Sequence, residues 1–231
     1  MKRVNTLTAG LFLAGQSLCG AAFAASVTLA GTTVDFTLDD AMLGSFGQAS
    51  VSGDTLYFTP IDFAARSLNG GGYSLTNETM NVRVSAHEGW AFSGMGLTVK
   101  GDYLLLGSGS TADVSGQMRV FDVAKPLLDV TTRILPASPL TQAGVPTHNW
   151  TAALSTDLSA WNTARTINVT VENLLLASTS TAVSVAFVEK KLVGLTPAML
   201  AVTSVPEAKT YAMMLAGLGL VGFAAARRRA A

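Results

Sequence analysis

Between Ala25 and Thr203 the chain is a succession of short runs in which apolar and polar residues alternate. Examples are Val27-Thr28-Leu29, Val34-Asp35-Phe36-Thr37-Leu38, Thr55-Leu56-Tyr57-Phe58, Met80-Asn81-Val82-Arg83-Val84, Met118-Arg119-Val120-Phe121, Ile167-Asn168-Val169-Thr170-Val171 and Val183-Ser184-Val185-Ala186-Phe187-Val188. A period of two places every second side chain on one face, so each run predicts a half-buried strand. Turn chemistry separates the runs at Ser52-Gly53-Asp54, Asn69-Gly70-Gly71-Gly72, Lys100-Gly101-Asp102 and Gly107-Ser108-Gly109. Ala41-Met42-Leu43 and Ala152-Ala153-Leu154 read as helical turns or loops. Leu135 to Asn149, with Pro136, Pro139 and Pro146, reads as an irregular connection that places His148 on a loop, as Glu88-Gly89 does for His87. No helical period is sustained inside this region. The pattern therefore predicts an all-β body, an antiparallel β-sandwich with jelly-roll winding as one topology it can take.

Both ends break the alternation. Met1-Lys2-Arg3 opens a basic start, a short apolar run from Leu7 to Leu18 follows, and Ala22-Phe23-Ala24 offers small residues at the two positions a signal peptidase reads. Residues 1–24 are thus expected to be a signal peptide, carried to the Sec translocon and cut after Ala24 at a site formed by Ala22 and Ala24. A lipoprotein signal at Cys19 fits less well, because Leu18 stands where that signal has a small residue. At the other end, Tyr211 to Ala226 is free of charge, and Arg227-Arg228-Arg229 follows at once. As a helix that stretch is about 24 Å long, short of a bilayer core of about 30 Å, so Lys209 and the arginines would snorkel or the bilayer would thin. Adjacent arginines resist translocation, which makes Arg227, Arg228 and Arg229 the membrane stop and keeps the basic end transiently cytoplasmic. The expected organisation is a signal peptide over 1–24, an ectodomain over 25–203 and a tail over 204–231.

Directly before the apolar stretch stands Val205-Pro206-Glu207-Ala208. Motif, helix and arginine cluster in that order resemble the PEP-CTERM sorting signal of Gram-negative bacteria. Ala208 departs from the proline that the motif's name implies, which bears on recognition efficiency. The resemblance implies that a membrane-embedded exosortase cuts near the motif, and that the body reaches the cell surface or matrix in association with exopolysaccharide. Pro206 lacks an N–H and has a fixed φ, so it favours an extended segment that a processing enzyme can grip.

Composition narrows the function classes. The formal net charge is zero, but six of the fifteen basic residues lie in the terminal segments, leaving the body nine basic against fourteen acidic residues. A mildly acidic body with scattered lysines and arginines has no electrostatic footprint for nucleic acid. The single cysteine lies in the signal segment. The mature chain is therefore expected to hold no disulfide, no thiolate metal site and no cysteine nucleophile. Two histidines, His87 and His148, are too few and too far apart for zinc spacing, and no G-x-S-x-G elbow is present. No cofactor, metal or catalytic residue is expected. The body is read as non-enzymatic, with two alternatives. One is a carbohydrate-binding module, for which Trp150 and Trp161, set among Thr, Ser, Asn and Asp, would supply stacking faces if exposed. The other is a secreted hydrolase, which would need carboxylates such as Asp39, Asp40, Asp62 and Asp102 to converge in one cleft.

Overall fold

The structure, a computed structural model, describes residues 26–161, 163–202 and 208–229. Its strands are β1 (Ser26–Ala30), β2 (Val34–Asp39), β3 (Gln48–Ser52), β4 (Thr55–Thr59), β5 (Ala64–Leu68), β6 (Gly72–Ala86), β7 (Trp90–Leu106), β8 (Ser110–Asp122), β9 (Asp129–Ile134), β10 (His148–Asp157), β11 (Thr166–Thr179) and β12 (Val185–Ala201). One helix, α1, covers Ala208–Arg229. Short 3-10 turns lie at Asp40–Met42, Gly44–Phe46 and Ser159–Trp161.

Two antiparallel sheets face each other. One runs β1-β2-β6-β11-β8-β9 and the other β10-β7-β12-β4-β3, with β5 lying against the first half of β12. From β5 to β12 the chain switches layer at every step except β8 to β9, which pair within one sheet, so that β6-β11-β8-β9 opposes β5-β12-β7-β10, which is jelly-roll winding. The first four strands extend the same two sheets at one edge.

Period-two patterning builds the interior. Along β11 Ile167, Val169, Val171, Leu175 and Ala177 are fully buried, and along β12 Ala186, Val188, Val193 and Leu195 are as well. Their intervening neighbours point outward, as the pleat requires. Phe46 anchors one end of this core, its ring 6.1 Å from that of Phe58 and 5.4 Å from that of Phe63. Ser45 holds the Phe46 turn in place, donating its N–H (2.7 Å) and hydroxyl (2.6 Å) to the Glu78 carboxylate of β6.

Several local expectations change. Lys100-Gly101-Asp102 is no turn; it lies inside the 17-residue β7. Glycine is needed there for close approach. A Cβ on Gly101 would overlap the carbonyl oxygen of Glu189 and come within 2.7 Å of the Trp150 ring. Ala152-Ala153-Leu154 belongs to β10, where its alternation is masked because alanine serves both faces. His148 opens β10 instead of sitting in the loop, and the run beginning at Val183 becomes strand only at Val185. By contrast, the turns at Ser52-Gly53-Asp54 and Gly107-Ser108-Gly109 and the irregular stretch after Leu135 are as read.

Candidate functional site

The tail is the first place to look. Ala22, Ala24, Val205, Pro206 and Glu207 lie outside the described residues, and Ala208 begins α1. The helix has 22 residues, one turn or so longer than the uncharged stretch, because Lys209 and the arginines join it. From Ala212 to Val221 every side chain is exposed, Met213, Leu215, Leu218 and Leu220 among them. Over those residues the helix buries no apolar face against the sandwich. Arg227 and Arg228 are exposed beyond it. Among the described residues no helix is long and apolar enough to cross a membrane.

On the body, the proline-rich connection arches over the β10 edge. Three backbone donors tether it: Ala137 N–H to Thr151 O (2.8 Å), Gln142 N–H to the Tyr103 hydroxyl (3.2 Å) and Gly144 N–H to Leu105 O (2.9 Å). Beneath the arch is a cleft of about 430 Å³, lined by Ser138, Pro139 and Gln142 from the arch, Asn149 and Trp150 from β10, and Tyr103 from β7. No charged side chain lines it. Its chemistry is that of hydroxyls, carboxamides and aromatic edges, suited to a neutral polar ligand.

Neither tryptophan offers the stacking face that the carbohydrate-module alternative requires. Trp150 is 4% exposed and Trp161 6%. The Trp150 ring lies over Gly101 and its Nε1–H donates to Glu189 O (3.2 Å), so only an edge reaches the cleft. Trp161 closes the bottom of the core at a 3-10 turn. Trp150 alternates inward on β10 while Asn149 and Thr151 point outward, and the 3-10 turn carries Trp161 inward. The lining residues Tyr103, Ser138 and Gln142 carried no sequence signal, since they meet only through the arch.

Two of the candidate carboxylates have structural partners. Asp39 accepts from Ala41 N–H (3.1 Å) as a turn cap. Asp102 is buried and held by Lys191 Nζ, which also meets Glu189 Oε1 at 3.0 Å. The Asp102 bond first, then the Glu189 bond, holds the Lys191 ammonium above its ordinary pKa. Among the described residues no group of three or more His, Cys, Asp or Glu is placed to hold a metal.

His87 ties three loops together. Its Nε2 lies 3.0 Å from Asp35 Oδ1 and its Nδ1 3.2 Å from Thr32 O, so both ring nitrogens face acceptors. Only the doubly protonated ring can donate to both. The Asp35 bond accordingly raises the His87 pKa above 6.5, against a smaller opposing effect of burial. Nearby, burial pushes the Asp54 carboxyl up, but the Thr33 N–H (2.8 Å) and Thr33 hydroxyl (2.7 Å) together hold it below 3.8. A raised histidine stabilises the fold below its unfolded pKa, and that contribution fades as pH climbs through the folded pKa. An NMR titration should therefore place the His87 midpoint above 6.5 and show it falling in Asp35→Asn. A midpoint unmoved by that substitution would remove the clasp.

With fold and tail described, the class is clear: a jelly-roll β-sandwich followed by an exposed apolar helix that ends in arginines. Residues 204–229 match the PEP-CTERM protein-sorting motif, so the chain carries a PEP-CTERM sorting tail. That motif implies export to the cell surface or extracellular space and processing by an exosortase. No curated protein matches the chain. Among solved structures it is similar to TmCBM61 in complex with beta-1,4-galactotriose, at TM-score 0.26 and 10% identity over 71% of this chain and 82% of that one. It is also similar to Eiger TNF from S. frugiperda (TM-score 0.26, 14% identity, 62% and 96%) and to a family 29 carbohydrate-binding module (TM-score 0.19, 12% identity, 64% and 73%). At such scores the likeness bears on neither ligand nor activity.

Proposed function

We propose that the chain is a non-enzymatic protein of the cell envelope or extracellular matrix, delivered by its two ends and released or transferred by exosortase. The observation that carries this reading is the sorting motif over residues 204–229. In this account the Sec translocon and signal peptidase remove residues 1–24. Helix α1, whose uncharged stretch from Tyr211 to Ala226 is about 24 Å long, then holds the body at the inner membrane with Lys209 and the arginines snorkelling to its faces. Its exposed leucines and methionines face lipid there, and Arg227 to Arg229 stay on the cytoplasmic side. Exosortase cuts within Val205–Ala208, and the sandwich passes into an exopolysaccharide-rich matrix.

A second reading, carbohydrate binding by the body, is supported by the uncharged, hydroxyl- and carboxamide-lined cleft under the arch. Hydrogen bonding there would take the part that tryptophan stacking was expected to play. The sorting reading is tested by replacing Pro206 and Glu207 with alanine in cells that have the exosortase. The body should then stay cell-bound with its tail attached. Release of the variant as complete as that of the natural sequence would sink the proposal.

A further inference from the structure

Two polar side chains are buried in the core with no partner among the described residues. Asn173 of β11 is fully buried, and neither its Oδ1 nor its Nδ2 is hydrogen-bonded. Lys190 of β12 is 3% exposed, and its Nζ has no acceptor. Burying an amide or an amine without a partner forfeits its hydration with nothing in return, so two of them in one core call for a common cause.

Both point inward from facing sheets. Asn173 takes the inward place between Val171 and Leu175. Lys190 faces inward in phase with Ala186 and Val188, and the bulge comes just after it: Lys190 pairs with Gly101 and Leu192 with Lys100, leaving Lys191 outside the ladder. Their levels along the sandwich can be read from bonds. The Lys190 N–H donates to Phe63 O (3.0 Å), and the adjoining Ala64 O accepts from the Thr76 hydroxyl (2.6 Å). Thr76 is registered against Leu175, two residues from Asn173 on the same face. Lys190 thus sits within about one residue step of Asn173 across the gap. Packed sheets lie about 10 Å apart, a gap that one long and one short side chain span together. The space beside Asn173 is also kept clear, since its β8 partner is Gly116. Its β6 partner is Glu78.

We infer that Lys190 and Asn173 join in an isopeptide bond across the core of the sandwich. Burial pushes the Lys190 amine down to about 6, so much of it is neutral and nucleophilic at neutral pH. The Phe63 ring, 4.4 Å from Nζ, walls it from solvent. The neutral Nζ attacks Asn173 Cγ, a C–N bond forms, the Cγ–Nδ2 bond breaks, and Nδ2 leaves as ammonia with the one proton given up by Nζ. Glu78, which register sets opposite Asn173 and whose carboxylate Ser45 holds, relays that proton by exchanging its Ser45 hydroxyl bond for Nζ. No oxidant, metal or second substrate enters. Two costly buried groups become one amide, and the chain from Asn173 to Lys190 closes into a covalent ring that joins the sheets. This crosslink is independent of the fate of the tail.

Tryptic digestion of the unfolded full chain tests it, because Arg165 and the pair Lys190-Lys191 bound one fragment holding both residues. The fragment Thr166 to Lys191 should be lighter than its sequence by one ammonia. It should resist cleavage after Lys190 and give no backbone fragment ions between 173 and 190. Asn173→Ala and Lys190→Met should each restore the unlinked mass, and Glu78→Gln should leave unlinked chain accumulating. A natural-sequence fragment of full mass overturns the inference. So does an ammonia loss accompanied by fragment ions between 173 and 190, which would mark cyclisation of Asn173 alone.

Discussion

Gly101→Ala should destabilise the body by about 3–5 kcal/mol, above the ordinary range for one added methyl. Elsewhere a glycine-to-alanine change can gain about 0.4–1 kcal/mol by restricting the unfolded chain. At this position the new Cβ would enter the space of the Glu189 carbonyl, which belongs to the backbone of the neighbouring strand and cannot rotate away. The Trp150 ring, 2.7 Å from the same point, closes the other side. Relief requires β7 and β12 to separate at the centre of their pairing. Denaturant unfolding should show a lowered midpoint and an unchanged slope. Stability equal to that of the natural sequence would mean that Gly101 is not inside a strand at all.

Trp150→Ala should cost a similar amount, about 3–5 kcal/mol, through the cavity left by a buried aromatic ring and the unmet Glu189 carbonyl. For a body of this size that corresponds to a fall in Tm of roughly 10 °C. The same substitution separates two accounts of this tryptophan. A ring that stacks on sugars at the surface would lose ligand and keep its stability. A ring that is 4% exposed and hydrogen-bonded at 3.2 Å to Glu189 O loses stability first.

Class and sorting were legible because they rest on local signals. Alternation marks β2 and β4 from end to end, and the PEP-CTERM motif is a linear string. The longer strands were legible only in part, for identifiable reasons. In β11 the pattern fades after Val171 because Asn173 faces the core while Leu174 and Leu176 face outward, inverting the expected polarity. In β7 the glycines at 94, 96 and 101 imitate turns, although sheet packing demands small residues there. The bulge after Lys190 shifts the phase of β12 by one residue, so the inward positions run Ala186, Val188 and Lys190 before it and Val193 and Leu195 after it. The cleft was invisible beforehand, since Tyr103 and Gln142 lie 39 residues apart and meet by a single hydrogen bond. Trp150 and Trp161 misled in the opposite way: polar neighbours in sequence suggested a surface, but on strand β10 the neighbours of Trp150 occupy the other face, and a 3-10 turn carries Trp161 into the core.

The most direct test of the export account is the intact mass of the protein recovered from the surface of cells with and without exosortase. With the enzyme, the product should begin at Ala25 and end near Val205 to Ala208; without it, the helix and Arg227 to Arg229 should remain attached. A surface product that keeps its arginines when the enzyme is present would contradict the account.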